Sequence, residues 1–222
     1  MNKREFKDRV YERVALVGKA LASPKRVELI ELLAQTERTV EWLALATGMS
    51  LANTSQHLQV LRSAQLVESR KEGLYVHYRL ASPAVGALHA AVRDVAAERD
   101  AEIDRLVRSY FGDRSGLDAV DMSELVERAE RGEVVVIDVR PPEEFAAAHV
   151  VGARSVPLSI LDEVVATLPR DRTVVAYCRG PFCVLADEAV KRLREAGLRA
   201  VRLDGGLPEW RAAGLPVASD AA

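Results

Sequence analysis

At Phe111-Gly112-Asp113-Arg114-Ser115-Gly116 the hydrophobic pattern of this chain stops, and it resumes with a different rhythm. Before the break most apolar residues recur at helical spacing. After it, helix and strand signals alternate. A chain that changes period in this way is expected to fold as two domains, placed at residues 1–112 and 117–217. Its 222 residues, 49% of them hydrophobic, suffice for two separate cores and exclude disorder as the main state. No apolar run approaches the roughly 18 residues of a membrane span. The opening Met1-Asn2-Lys3-Arg4-Glu5 does not read as a secretory signal, so a cytoplasmic protein with no membrane partner is expected.

In the first half, Val10, Val14, Val17 and Leu21, then Val27, Ile30 and Leu33, mark two helices separated by Ser23-Pro24, a cap followed by a first-turn proline. Thr39 heads a third helix that ends at Gly48, and Ser50 heads a fourth. Helical spacing puts Leu51, Thr54, Leu58 and Leu61 on one face of that fourth helix and leaves Asn53, Gln56 and Gln59 towards solvent. A helix, a short glycine turn and a polar-faced helix make a DNA-reading arrangement. Val67 to Leu80 then reads as two β-prone runs around a charged tip containing Gly73, a hairpin whose tip is basic at Arg70 and Lys71. Residues 83–111 return to helical periodicity.

Taken together, Ala22-Ser23-Pro24-Lys25-Arg26, Thr54 to Val67 and Tyr75 to Leu80 resemble the ArsR-type winged helix-turn-helix repressors, over about residues 6–110. The resemblance implies a dimer on a partly palindromic double-stranded operator, built from residues 6–20 and 83–110. It also implies that the helix 51–62 enters the major groove with Asn53, Thr54, Ser55, Gln56, His57, Gln59 and Arg62 as its reading and phosphate-contacting residues, and that Arg70 and Lys71 meet the backbone. The first 116 residues carry 18 basic and 15 acidic side chains, so such contacts depend on local placement rather than bulk charge. No thiol stands at Glu37-Arg38-Thr39-Val40-Glu41-Trp42, where many relatives bind metal, and His89 with Asp94, Glu98, Asp100 and Glu102 reads as a hydrated face. No metal or other cofactor is expected.

Val134–Ile137 and Thr173–Tyr177 read as buried strands and Val184–Ala196 as a helix, which with a capping box at Asp121 and Glu124 points to an α/β layer on a mostly parallel five-stranded sheet. Both cysteines, Cys178 and Cys183, fall in Cys178-Arg179-Gly180-Pro181-Phe182-Cys183, between a buried strand and a helix. Main-chain amides and a helix dipole converge there, so a thiolate on Cys178 is expected to be stabilised. Cys183 would serve as a resolving thiol, giving a disulfide or polysulfide bridge.

Asp138-Val139-Arg140, Glu143-Glu144-Phe145, His149 to Ala153, the Cys178 loop and Asp204 to Trp210 together resemble a rhodanese domain over residues 117–217. The resemblance implies that Cys178 carries sulfur as a persulfide and that Arg179, Gly180, Pro181, Phe182 and Cys183 form its loop. The loop departs from the family by ending in Cys183 where Arg is common, which weakens a role in thiosulfate turnover. Asp138 is expected to cap the strand end and Arg140 to pair with Glu143 or Glu144. The reading is a transcriptional repressor that senses or transfers reactive sulfur, with thiosulfate or polysulfide as its small partner. The alternatives are a sulfurtransferase tethered to a DNA-binding dimer, or a Cys178–Cys183 redox switch.

Overall fold

A computed structural model describes residues 1–111 and 119–220. The chain divides into two compact units, Met1–Arg93 and Asp94–Ala222. Most of the pattern-free stretch at 111–116, where the sequence places its domain junction, lies outside the described residues.

The first unit begins with α1 (Lys3–Leu21) and α2 (Pro24–Leu33), with Pro24 in the first turn as expected, although the Ser23 side chain makes no capping bond. A two-residue strand β1 (Arg38–Thr39) leads into α3 (Val40–Thr47), whose first turn is capped by Thr39 and whose exit is made by Gly48 at φ 64°. In α4 (Leu51–Ser63) the Ser50 side chain accepts from the amide of Asn53. Leu29, Ile30, Leu43, Leu58 and Leu61 form a core under β2 (Val67–Glu72) and β3 (Tyr75–Leu80). These two strands form the expected hairpin, and β1 adds to its β3 edge. Leu51, expected inward, is instead exposed. It lies in the first turn of α4.

The helical stretch after the hairpin is two helices, α5 (Pro83–Arg99) and α6 (Ala101–Phe111). Asp100 makes the break, its side chain accepting from the amide of Glu102 at 2.9 Å.

The rest of the second unit runs through β4 (Ala119–Val120), α7 (Met122–Glu130), β5 (Val134–Asp138), α8 (Pro142–Ala147), β6 (His149–Val150) and β7 (Arg154–Ser155). It continues with α9 (Leu161–Val164), β8 (Thr173–Cys178), α10 (Val184–Glu195), β9 (Ala200–Gly206), α11 (Leu207–Ala212) and β10 (Val217–Ala218). The five-stranded sheet expected from sequence is present, its strands all parallel and in the order β4-β9-β8-β5-β7. Half of the capping box is present, since Asp121 accepts from the Glu124 amide while the Glu124 carboxylate pairs with Arg128. Alternation along β8 sends Val174, Ala176 and Cys178 to one face, with α10, and Val175 and Tyr177 to the other, with Leu125 and Trp210. Both faces are covered, which accounts for the uninterrupted apolar reading of β5 and β8.

Candidate functional site

Strand β8 is the middle of the sheet and ends at Cys178, so the loop 179–183 leaves from the carboxyl edge, where open α/β sheets hold their ligands. Cys183 is the N-cap of the twelve-residue α10. The loop between them turns back sharply: the Cys183 amide donates to the Gly180 carbonyl at 3.1 Å, and Gly180 takes φ 158°. Six residues thus bring both thiols of the chain to one place.

The two sulfurs are not equivalent. Cys178 is sealed, with 1% of its surface exposed, and its Sγ lies 3.7 Å from the Cys183 carbonyl oxygen and 4.0 Å from that of Gly180. Burial pushes its thiol well above the ordinary range, the neighbouring Cys183 adds to the rise, and the amides of Gly180 and Ala186 oppose it. Cys183 is only partly covered and is lowered to about 7, chiefly by the hydrogen bond from Cys178. The amides of Arg179 and Leu185 and the Arg179 guanidinium assist against desolvation. Amides do surround the sulfurs, as expected, but the readier thiolate is on Cys183 and not on Cys178. Desolvation of a fully enclosed sulfur outweighs two amide donors, whereas a half-open sulfur at a helix N-terminus keeps their benefit.

Arg179 is held by a bidentate ion pair with Glu144 of α8, at 2.7 Å from Nη2 and 3.0 Å from Nε. The Glu144 side chain is fully buried. Arg140 is likewise fully buried and pairs with Asp138, two residues away, at 2.6 Å, with a second bond to the Ala148 carbonyl at 2.7 Å. Arg140 is thus held directly by Asp138, with the charge of Glu144 adding to its stabilisation as the sequence suggests, while Glu144 also carries the ion pair with Arg179. Phe182 is exposed at the rim of the loop. One contributor that the loop sequence does not reveal is Gly206, which pairs with Cys178 across an irregularity in the β8–β9 register. His149, in the turn motif, stacks on Phe145 with ring centroids 3.7 Å apart, and Trp210 is buried with its Nε1 donating to Pro216.

In the first unit the exposed side of α4 presents Asn53, Gln56, Gln59 and Arg62, with Ser55 and His57 half-buried beside them. Thr54 does not belong to this surface: it is fully buried and its Oγ1 donates to the Ser50 carbonyl at 3.0 Å. On the wing, Lys71 is exposed, while Arg70 is tied to Glu37 at 2.8 Å and to Glu72. Leu74 at the tip is almost wholly exposed. Among the described residues no helix is long and apolar enough to cross a membrane.

Comparison with known proteins matches residues 23–69 to the bacterial regulatory protein, arsR family, and residues 121–213 to the rhodanese-like domain. The HTH-type transcriptional regulator Rv0324 of Mycobacterium tuberculosis is 48% identical over 206 residues, spanning 93% of this chain and 90% of its own length. A probable adenylyltransferase/sulfurtransferase, MoeZ, of the same species is 40% identical over 80 residues, 35% of this chain and 20% of its own. A solution structure of the homodimeric winged helix-turn-helix domain of Mb0332 from Mycobacterium bovis, 46% identical, covers 45% of this chain and 91% of its own, with a TM-score of 0.42.

Proposed function

Since the chain belongs to the arsR family of transcriptional regulators and carries a rhodanese-like domain in its second half, we propose that it is a repressor whose operator affinity is set by sulfur taken up at the Cys178–Cys183 pair. The observation that carries this reading is the pair itself: the tight turn of the loop brings the sealed Cys178 and the partly covered Cys183 together, with Cys183 lowered to about 7. The thiolate of Cys183 attacks a sulfane sulfur of a polysulfide, and the S–S bond breaks with its electron pair leaving on a thiolate fragment. Cys178 gives its proton to that fragment and attacks the newly bound chain, releasing a second thiolate and closing a bridge. Both cysteines are oxidised and the polysulfide is reduced. Sulfur thus enters at Cys183, and Cys178 closes the bridge, the reverse of the order expected from sequence.

Thiosulfate turnover is the weaker reading. An anionic donor calls for a cation at the loop, and Arg179 is already committed to Glu144. The DNA-reading surface is the exposed side of α4 with Lys71 on the wing. The dimer forms through the apolar residues that α1 and α5 leave in solvent, Phe6, Val10 and Val14 with Leu88 and Val92.

The test is to select bound duplexes from a random library with the reduced protein and titrate one of them before and after polysulfide treatment, with Cys178→Ser in parallel. Affinity should fall by about 5–150-fold in wild type, corresponding to coupling of about 1–3 kcal/mol. The serine variant should not respond. Equal affinity in all four states rejects the proposal.

A further inference from the structure

The helix α6 is strongly amphipathic, yet over residues 101–110 none of its side chains is buried: Leu106 is 60% and Tyr110 73% exposed. Its apolar side, Ile103, Leu106, Val107 and Tyr110, lines a groove of about 340 Å³ whose other wall is Phe182 and Val184. Both walls belong to the second unit. Phe182 and Val184 are the immediate chain neighbours of Cys183, and both are themselves exposed.

The lining of this groove carries no charge, and the cation of the adjoining loop, Arg179, is held by Glu144. A charged donor entering the groove would exchange hydration for an uncharged, apolar lining. An uncharged chain of sulfur and carbon loses little hydration and gains contact with aromatic and aliphatic side chains. Resting on the proposed sulfur chemistry of the cysteine pair, we infer that this groove binds uncharged organic polysulfides and presents their central sulfur to Cys183.

With a dialkyl trisulfide the chemistry balances. Cys183 attacks the central sulfur, one alkylthiolate leaves, and Cys183 then carries two further sulfurs and an alkyl group. Cys178 attacks the first of these sulfurs and the second alkylthiolate departs. Overall, two thiols and R–S–S–S–R give a Cys178–S–S–S–Cys183 bridge and two R–SH, so the protein gains one sulfur and loses two hydrogens. The trisulfide is the oxidant. This assigns the apolar side of α6 to the cysteine loop, leaving α1 and α5 to the second copy.

The experiment uses the full chain and follows the intact mass after adding diallyl trisulfide, which is uncharged, or sodium tetrasulfide, which is anionic. Wild type and Leu106→Glu are compared, since Leu106 lies on the surface and its replacement spares the core. The variant should form the bridge at least tenfold more slowly with the trisulfide, and within twofold of wild type with tetrasulfide and in the labelling of Cys183 by iodoacetamide. Unchanged trisulfide rates, or equal slowing with both donors, overturn the inference. So does loss of the dimer in Leu106→Glu, because the groove is then a contact between copies. Wild type that reacts with tetrasulfide and not with trisulfide removes the groove and leaves the sensor standing; wild type inert to both removes both.

Discussion

A Cβ added to Gly206 would lie 2.6 Å from the carbonyl oxygen of Cys178 and 2.5 Å from the amide nitrogen of Gly180. The end of β9 therefore acts as the floor of the cysteine loop, and it reaches that position only because residue 206 has no side chain. Its φ of −148° is open to any residue, so the requirement comes from space and not from backbone conformation.

Gly206→Ala forces the loop backbone to move, because the atoms it meets are main chain and cannot rotate aside. A loss of about 1–3 kcal/mol from the second unit is expected, the usual range for overpacking. The displaced loop should also change the labelling rate of Cys183. Urea unfolding and timed alkylation of the same samples measure both, and an alanine variant matching wild type in each would show that the loop has room to spare.

The lowering of Cys183 by its neighbour Cys178 predicts a pH profile. Lowering to about 7 means that Cys183 is half thiolate at neutral pH, whereas an ordinary cysteine near 8.5 is only about 3% ionised. The gain in thiolate is about fifteenfold, but a thiolate of lower basicity is a weaker nucleophile, which reduces the net advantage to about threefold. Labelling of Cys183 by iodoacetamide should therefore rise through pH 7 and level off above it, while Cys178 stays unlabelled in the folded protein. Cys178→Ala removes the hydrogen bond that contributes most to the lowering, so the midpoint should move up towards 8.5. Peptide mapping of the alkylated protein reads both sites; a common midpoint near 8.5 in wild type and variant would refute the linkage.

These sulfurs mark where reading from sequence reached its limit. Caps at Thr39, Asp121 and Ser50 and the exit at Gly48 were legible because each is decided by atoms within four residues. The strand β8 was legible because a fully covered strand needs apolar residues on both faces. The close approach of Gly206 to the loop backbone was not, since it joins positions 28 residues apart in the chain. The Arg179–Glu144 pair spans 35 positions, and nothing local distinguishes Glu144 from Glu143 as its partner. The break at Asp100 was hidden because Val92, Val95, Ile103 and Leu106 keep an uninterrupted helical rhythm across it. Strands β4, β6, β7 and β10, with two residues each, are too short to carry a period at all.

On the DNA side, the contrast between Gln56 and Thr54, two positions apart on α4, separates reading from packing. Gln56 is exposed and its amide can pair with a base edge, so Gln56→Ala should lower affinity for a selected duplex by about 1–3 kcal/mol and relax preference at one base pair. Thr54→Val should instead leave base preference intact and act through stability, because it removes the buried bond to the Ser50 carbonyl. Lys71→Ala should weaken binding evenly across sequences and lower the slope of log affinity against log salt by about one, as expected on losing a phosphate contact. Arg70→Ala should move that slope less, since the guanidinium must first leave Glu37 and Glu72. Anisotropy titrations at several salt concentrations on matched and single-mismatch duplexes distinguish these effects. If Thr54→Val rather than Gln56→Ala relaxes base preference, the reading face of α4 is not the one described.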